Sequence, residues 1–585
     1  MRPTKNVLLL LLPLLFWATS LAVAEAAPDG DGRVGEPLDR GLIARPVADG
    51  NVYIGWRLWE ADAPEIAFDV YRRTGDAPPV KLNDRPITRT TDFLDTAAEQ
   101  GRQHAWFVRP VLNGTAGPPS REAEATPGGE VSAYISIPLQ GDYTFQKVGI
   151  ADLDGDRRYD FVIKQPNANI DPWYKYWKPA AETYKLEAYR HDGKLLWRHD
   201  LGWAIERGIW YSPYLVYDLD GDGKAEVAVK TGEGDPRDAD GKVTSGPEHL
   251  TILDGQTGRS MVRADWPSRE GFTGEHAYNY YCRNQLGVAY LDGRTPSLIV
   301  ERGTYNIQKL VAYRLHDGKL QEQWRWDNTG EDRKYWGQGA HWMHAADVDG
   351  DGCDEVLIGS SVIDQDGKSL WSTGLGHPDH FYIGDIDPSR PGLEIYYGIE
   401  PGRKQNTMCL VDARTGEILW GHDQPTRHIH SSGLCSDIDA AEPGSECYSG
   451  ERDFPDKRWL RNAKGRVLST EDLGGLAPRA AWWDADLQRE VIRGGRITNY
   501  GDGREPVVPP RVEGSIAAVA DVLGDWREEI ITSVGGQLRI YTTTIPAVDR
   551  RACLMQDPIY RLDVAAAAMG YFQVPMTSYD LATRK

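Results

Sequence analysis

Apolar residues recur along this chain in short, strand-like runs set between turns. Val52, Ile54, Trp56 and Leu58 alternate, as do Phe68 with Val70 and Trp106 with Val108, the period of strands with one buried face. These runs predict a small β-sandwich over residues 38–126 that carries no chemical cluster. Over residues 131–585 the pattern becomes an acidic turn followed at once by an apolar strand. Tyr217-Asp218-Leu219-Asp220-Gly221-Asp222-Gly223-Lys224-Ala225-Glu226-Val227-Ala228-Val229 is the fullest copy. Good copies also begin at Asp152 and Asp347, looser ones at Asp385, Asp437 and Asp521, and echoes at Tyr290-Leu291-Asp292-Gly293 and Asp484-Ala485-Asp486. A turn and an aliphatic–Trp pair follow many of them, as at Leu196-Trp197, Leu370-Trp371 and Leu419-Trp420. No helix longer than a turn or two is predicted.

Eight loops of this kind predict eight small antiparallel sheets. One such sheet cannot bury both its faces alone, so the sheets stack in a ring. The expected fold is all-β: an eight-bladed calcium-binding β-propeller, preceded by a sandwich that resembles a fibronectin type III module.

Alternating acids explain why a cation belongs in the loops. Asp218, Asp220 and Asp222 turn their carboxylates to one side, and Glu226 closes the far side. Calcium accepts six to eight oxygens in flexible geometry. An EF-hand closes at loop position 12, whereas here the closing acid is followed directly by a strand. The same reading assigns Asp152, Asp154 and Asp156 (with Asp160), Asp347, Asp349, Asp351 and Glu355, Asp385, Asp387 and Glu394, Asp437, Asp439 and Glu446, and Asp521, Asp525 and Glu529. These are read as structural Ca2+ ligands.

Composition narrows the partners. The 585-residue chain carries a formal charge of -21, which argues against nucleic acid. Trp and Tyr outnumber Phe, 20 and 28 against 10, a balance that suits carbohydrate clefts as well as core packing. Arg2 and Lys5 precede an apolar run from Val7 to Leu21 and the small residues Ala22-Val23-Ala24. That is a signal-peptide pattern over residues 1–24, so a secreted or periplasmic monomer with no membrane span is expected. Cys435 and Cys447 bracket one acidic loop and are either bridged or free.

Candidate chemistry must come from residues outside the repeat. Gly337-Gln338-Gly339-Ala340-His341 precedes one loop, Gly374-Leu375-Gly376-His377-Pro378-Asp379 precedes the next, and Glu400 follows the strand after that. These segments fall at equivalent ends of adjacent blades. Two imidazoles and two carboxylates could therefore meet as a mixed-ligand metal site at one mouth of the ring.

Several motifs then resemble the family 11 polysaccharide lyases, the bacterial rhamnogalacturonan lyases. They include Ser245-Gly246-Pro247-Glu248-His249-Leu250-Thr251, Ser372-Thr373-Gly374-Leu375-Gly376-His377, Leu523-Gly524-Asp525-Trp526-Arg527-Glu528-Glu529 and Arg539-Ile540-Tyr541-Thr542-Thr543-Thr544. The resemblance runs from about Leu38 to about Thr577. It implies a calcium-rich eight-bladed propeller that cleaves rhamnogalacturonan I by β-elimination, with active-site Ca2+ on His341, His377, Asp379 and Glu400. An acidic polysaccharide would be the substrate.

Elimination needs a neutralised uronate carboxylate, a base for the C5 proton and a proton for the leaving oxygen. Here the chain departs from the family it resembles. The family's Arg before the Asp437-type loop and Lys before the Asp521-type loop correspond to Ser432 and Glu513. Arg427, His430 and Arg511 lie nearby in sequence and are the candidate bases. The segment Pro172-Trp173-Tyr174-Lys175-Tyr176-Trp177 could stack on sugar rings or pack over the ring surface. Lys164, Lys230 and Arg302 either face the cleft or pair with carboxylates. Two further readings stay open: a glycoside hydrolase on the same fold, with Glu513 as an acid, and a non-catalytic, calcium-dependent glycan-binding propeller.

Overall fold

In the computed structural model, Tyr214–Tyr217 and Glu226–Gly232 pair antiparallel, with Tyr217 opposite Glu226 and the Asp218 loop joining them. That hairpin is the unit of the larger region. The structure describes residues 32–501 and 511–583; the signal pattern at residues 1–24 lies outside the described residues. Eight antiparallel sheets follow one another. Their first strands are Lys147–Ala151, Tyr214–Tyr217, Asn284–Ala289, Gly339–Ala346, Pro378–Gly384, Leu434–Ser436, Arg479–Ala481 and Ser515–Ala520. The first six sheets have four strands each, and the seventh has three among the described residues. The eighth takes its outermost strand, Tyr134–Pro138, from the beginning of the region, where Ile135 pairs with Ile540.

First strands pack on one another from sheet to sheet. Lys147–Ala151 touches both Tyr214–Tyr217 and Ser515–Ala520, which brings the two ends of the series together. A helix, Pro558–Ala566, lies against first strands of the first four sheets and of the eighth. It starts well, with Asp557 accepting from the Tyr560 N–H at 2.9 Å and Pro558 in the first turn, both favourable at a helix N-terminus. This corrects the expectation that no helix exceeds two turns. Every residue from Ile559 to Ala566 is buried, so the segment lacks the one-sided apolar stripe by which a surface helix is recognised.

The closing acids have a role that the motif alone does not reveal. Glu226, Glu355, Glu394, Glu446, Glu490 and Glu529 each accept a backbone N–H from the loop seven or eight residues earlier, at 2.7 to 3.0 Å. Asp160 does the same from Leu153 at 3.2 Å. The acid at the start of the second strand thus ties down the turn, with or without a cation.

Residues 38–126 form two antiparallel sheets. Ile43–Pro46, Val52–Gly55 and Asp92–Asp95 make one; Ala67–Arg73 and His104–Leu112 are the centre of the other. Val52, Ile54, Trp56, Phe68, Val70, Trp106 and Val108 share a core between them, as their alternation predicts. The unit docks on the eighth sheet's loop: Tyr53 donates to Asp525 at 3.1 Å, and the Arg57 guanidinium donates to the Val522 carbonyl at 2.5 Å. Cys435 and Cys447 face each other across paired strands, but their sulfurs are 3.9 Å apart, against about 2.05 Å for a bond. Both are free thiols.

A candidate metal centre at the strand-start face

Each acidic loop follows the end of a first strand, so the residues that begin those strands lie on the opposite face. His341 is six residues before Asp347 on an extended strand, about 20 Å away at 3.3 Å per residue. The imidazoles and the loop carboxylates are therefore separate sites.

Four elements bring the candidate donors together. His341 sits near the start of Gly339–Ala346, His377 and Asp379 flank the start of Pro378–Gly384, and Glu400 follows Glu394–Ile399. Gly339 is required there: a Cβ would stand 2.6 Å from the Thr304 carbonyl and the Gln308 amide. The Glu400 N–H donates to the His377 carbonyl at 3.0 Å, coupling those two donors. The fourth element is a short extended stub, fixed by bridges between Pro401 and His428 and between Ile429 and Glu451. Alternate residues of an extended segment share a side, so His428 and His430 both turn inward.

The side chains form a closed chain of short separations. His341 Nε2 lies 3.4 Å from Asp379 Oδ1, and His430 Nδ1 lies 2.6 Å from Asp379 Oδ2. His428 Nε2 is 3.3 Å from His430 Nδ1 and 3.0 Å from Glu400 Oε1. Glu400 Oε2 is 3.3 Å from His377 Nε2, and the His341 and His377 rings are 4.7 Å apart. His341, His377 and Asp379 are buried, while Glu400, His428 and His430 are half-buried. The cluster thus has a dry wall and a wet rim.

Protonation states suit ligation. His377 donates its Nδ1 proton to the Gly339 carbonyl, so its Nε2 keeps a lone pair, and that atom is buried without a hydrogen-bond partner. Asp379 Oδ1 is likewise unpartnered, while Oδ2 accepts from the Ser431 N–H. Burial holds His341 well below the usual imidazole range, in its neutral form. Burial works against an anionic Glu400, yet the His428 hydrogen bond and the nearby imidazoles hold its carboxyl down at about 2. Bare imidazole nitrogens and carboxylate oxygens facing one another fit a divalent cation.

Around the cluster lies an aromatic and basic mouth. Asp171 accepts from Arg283 at 3.0 Å; the Arg283 guanidinium lies 4.9 Å from the Trp210 ring and 5.4 Å from that of Tyr305. The Tyr305 hydroxyl reaches within 3.2 Å of His341 Nε2. Trp173 and Tyr174 pack on His276, and Tyr174 and Tyr176 are 61% and 63% exposed. Lys147 pairs in register with Lys164 and donates to the Met569 carbonyl at 3.1 Å. Burial, with Arg479 nearby, pushes its ammonium down to about 7. Lys164 donates to Ser212 and lies over the Tyr184 and Tyr214 rings, whereas Lys230 and Arg302 both pair with Glu248.

Of the three candidate bases, His430 reaches the cluster and the two arginines do not. Arg427 precedes His428 by one position, so it turns the other way and lies exposed over the Phe454 ring at 5.3 Å. Arg511 is exposed and donates to the Gly494 carbonyl at 3.1 Å, tied to a neighbouring hairpin turn. Ser432 accepts from Arg479 at 3.1 Å, and Glu513 is exposed and paired with Arg539 at 2.7 Å. His428 went unnoticed in the sequence, although the His-x-His spacing was a usable signal.

The acidic loops divide into two kinds. Asp152 with Asp154 and Asp160, Asp218 with Asp220 and Asp222, and Asp347 with Asp349 and Asp351 each direct oxygens to one point. Asp156 instead turns to Arg158 at 3.0 Å. Burial and crowding push Asp218 up to about 7, Glu226 to about 9 and Glu355 to about 8, which a bound cation would reverse. Two looser loops contain their own cation. Lys464 Nζ lies 2.7 and 2.6 Å from the two oxygens of Asp387, beside Asp385 and Glu394. The Arg527 guanidinium holds Asp525 at 2.7 Å, next to Asp521 and Glu529. At Asp387 and Asp525 an ammonium and a guanidinium already face the carboxylates. In the loop of Asp437, Asp439 and Glu446, one oxygen each of Asp437 and Glu446 is buried and unpartnered.

Known proteins share this architecture and its sequence. The family described as "Rhamnogalacturonan lyase family 11, C-terminal domain" matches residues 138–584, and "Rhamnogalacturonan I lyases beta-sheet domain" matches residues 33–126. Rhamnogalacturonan endolyase YesW of Bacillus subtilis (strain 168) is 37% identical, covering 98% of this chain and 94% of its own. Rhamnogalacturonan exolyase YesX of the same organism is 34% identical, over 94% of this chain and 95% of its own. The solved structure of Bacillus licheniformis rhamnogalacturonan lyase PL11 superposes with a TM-score of 0.85 at 35% identity, covering 94% of this chain and 97% of that one.

Proposed function

We propose how this chain works from one premise: it belongs to rhamnogalacturonan lyase family 11. It is a polysaccharide lyase that acts on rhamnogalacturonan. The observation that carries the mechanism is the convergence of His341, His377, Asp379, Glu400 and His430 below an aromatic mouth.

In our reading, a uronate residue of the substrate enters over Tyr174 and Tyr176, whose exposed rings offer apolar faces to sugar. A divalent cation held by His341, His377, Asp379 and Glu400 supplies neutralisation of the uronate carboxylate when bound. His430 donates Nδ1–H to Asp379 Oδ2, which fixes its tautomer and leaves Nε2 free to take the C5 proton. The C5–H electron pair becomes the C4=C5 double bond as the C4–O4 bond breaks. The Tyr305 hydroxyl, half-buried beside His341, is the donor we assign to the departing O4.

We further infer that the eight sheets close as an eight-bladed propeller. The support is the contact between the first and eighth sheets and the strand Tyr134–Pro138 lent to the last. Calcium in the loops beginning at Asp152, Asp218 and Asp347 would stiffen it, and residues 38–126 would be a fibronectin type III-like partner. Export through residues 1–24 completes the proposal. Among the described residues, no helix is long and apolar enough to cross a membrane. A hydrolase using Glu513 is disfavoured by its exposed pairing with Arg539.

The test is incubation with rhamnogalacturonan, reading ultraviolet absorbance of the unsaturated uronate and product masses. Saturated products alone, or none, would overturn the elimination mechanism.

A further inference from the structure

Three cations at the strand-start face take part in no step of the elimination. Lys147 donates to the Met569 carbonyl at 3.1 Å and Lys164 to the Ser212 carbonyl at 3.0 Å. Arg479 donates to the Ser432 hydroxyl and to the carbonyls of Ala477 and Pro478. Both lysines are buried and stand opposite each other in register, while Arg479 begins the first strand of the seventh sheet and is half-buried. Among the described residues, none of the three pairs with a carboxylate, and the charge that Lys147 feels is the Arg479 guanidinium. Deep cations elsewhere are matched: Arg302 to Glu248, Arg489 to Glu528, Arg527 to Asp525 and Arg561 to Glu36. Buried charge without a counter-charge is costly, so this group calls for an anion from outside the chain.

Two connections tie these cations to the imidazole–carboxylate cluster. Adjacent residues serve one each: the Ser431 N–H donates to Asp379, and the Ser432 hydroxyl accepts from Arg479. The segment 569–572 touches both as well. Its Met569 carbonyl meets Lys147, its Tyr571 ring stands 5.1 Å from that of His341, and its Phe572 ring lies 4.4 Å from the Arg479 guanidinium. Three peptide units span at most about 11 Å, so one oligosaccharide can reach the cluster and the cations together.

We propose that Lys147 and Arg479, backed by Lys164, form an anion subsite for the carboxylate of a second uronate on the same glycan chain, while the first uronate occupies the cluster. The guanidinium offers a planar fork that matches a carboxylate, and the ammonium adds a second charge. The inference rests on the lyase reading for the identity of the ligand; binding is measured apart from turnover, so either can fail alone.

The experiment titrates the full chain carrying His430→Ala, in Ca2+, with rhamnogalacturonan fragments of equal length by calorimetry. One fragment carries two uronates; in the other, one of the two is reduced to the neutral sugar. The two-uronate fragment should bind about tenfold tighter or more, the usual worth of a hydrogen bond to a charged group. Lys147→Met and Arg479→Met should each cut that preference to about threefold or less, and Lys147→Met should not lower the melting temperature, because it removes an unmatched charge. At pH 8 the two-uronate fragment should also bring proton uptake, seen as a buffer-dependent heat that Lys147→Met abolishes. The cause is that a bound carboxylate raises an ammonium that burial holds at about 7. Equal affinity for the two fragments, an undiminished preference in either Met variant, or proton uptake that survives Lys147→Met would each overturn the subsite. The comparison of fragments needs no change at Lys147 or Arg479, so it decides even where those variants fail to fold. Absence of unsaturated product from the unmodified chain would sink the lyase reading and leave the subsite standing.

Discussion

His377 hands its Nδ1 proton to the carbonyl of Gly339 on the preceding sheet, and that bond aims its bare Nε2 at Glu400. A backbone carbonyl of one sheet thus sets the tautomer of a donor on the next. Gly339→Ala tests the coupling, because the new Cβ would press on the Thr304 carbonyl at 2.6 Å and move that strand. We expect at least a tenfold loss of cation affinity, read by competition with a chromophoric chelator, and a stability loss of about 1–3 kcal/mol in denaturant titration.

Proton removal and cation binding should separate by residue. His430→Ala should lower kcat about 10²–10⁴-fold, the usual worth of a general base, with cation affinity nearly kept. His377→Ala should lose the cation itself. Equal loss of both properties in both variants would show that His430 acts as a ligand and not as the base.

Tyr174 and Tyr176 are more than half exposed, so truncating them leaves the core intact. Tyr174→Ala and Tyr176→Ala should each raise KM several-fold, from about 1 kcal/mol of lost ring contact, with the melting temperature unchanged. A fall in kcat alone would contradict a stacking role.

Calcium should act on stability through the loops whose acids lack an internal cation. Chelation should lower the melting temperature, and Ca2+ at about 100 times its Kd should restore about 2.7 kcal/mol per site. Asp218→Asn should remove part of that response. Asp387→Asn should not, because Lys464 already occupies its oxygens.

Glu301 predicts a pH dependence. It is fully buried and accepts from Gln308 at 2.9 Å, and burial pushes its carboxyl up to about 8. The unfolded value is about 4.3. Between those values the folded chain keeps a proton that the unfolded chain has released, so stability falls as pH rises from about 4 to about 8 and levels off beyond. Glu301→Gln should be about 2–4 kcal/mol more stable than the wild type at pH 8 and equal to it near pH 4. A gain of the same size at both values would refute the titration.

Much of this molecule was legible in the residues themselves. Period-two alternation at Val52, Ile54 and Trp56, and the Asp-Gly turns at Asp152, Asp218 and Asp347, are local patterns, and the strands and loops stand where those patterns put them. His341, His377, Asp379 and Glu400 could be singled out because each borders a strand of that repeat. Tertiary structure alone decided what meets what. It brought His428 in through a stub defined by two isolated bridges, turned Arg427 outward, and tied Arg511 to another hairpin. It also put Lys464 on Asp387, 77 residues away in the chain, and drew Tyr134–Pro138 beside the eighth sheet. The reason is physical: backbone period and turn chemistry act between near neighbours, whereas a charge or imidazole finds its partner only where burial of the whole fold forces distant segments together.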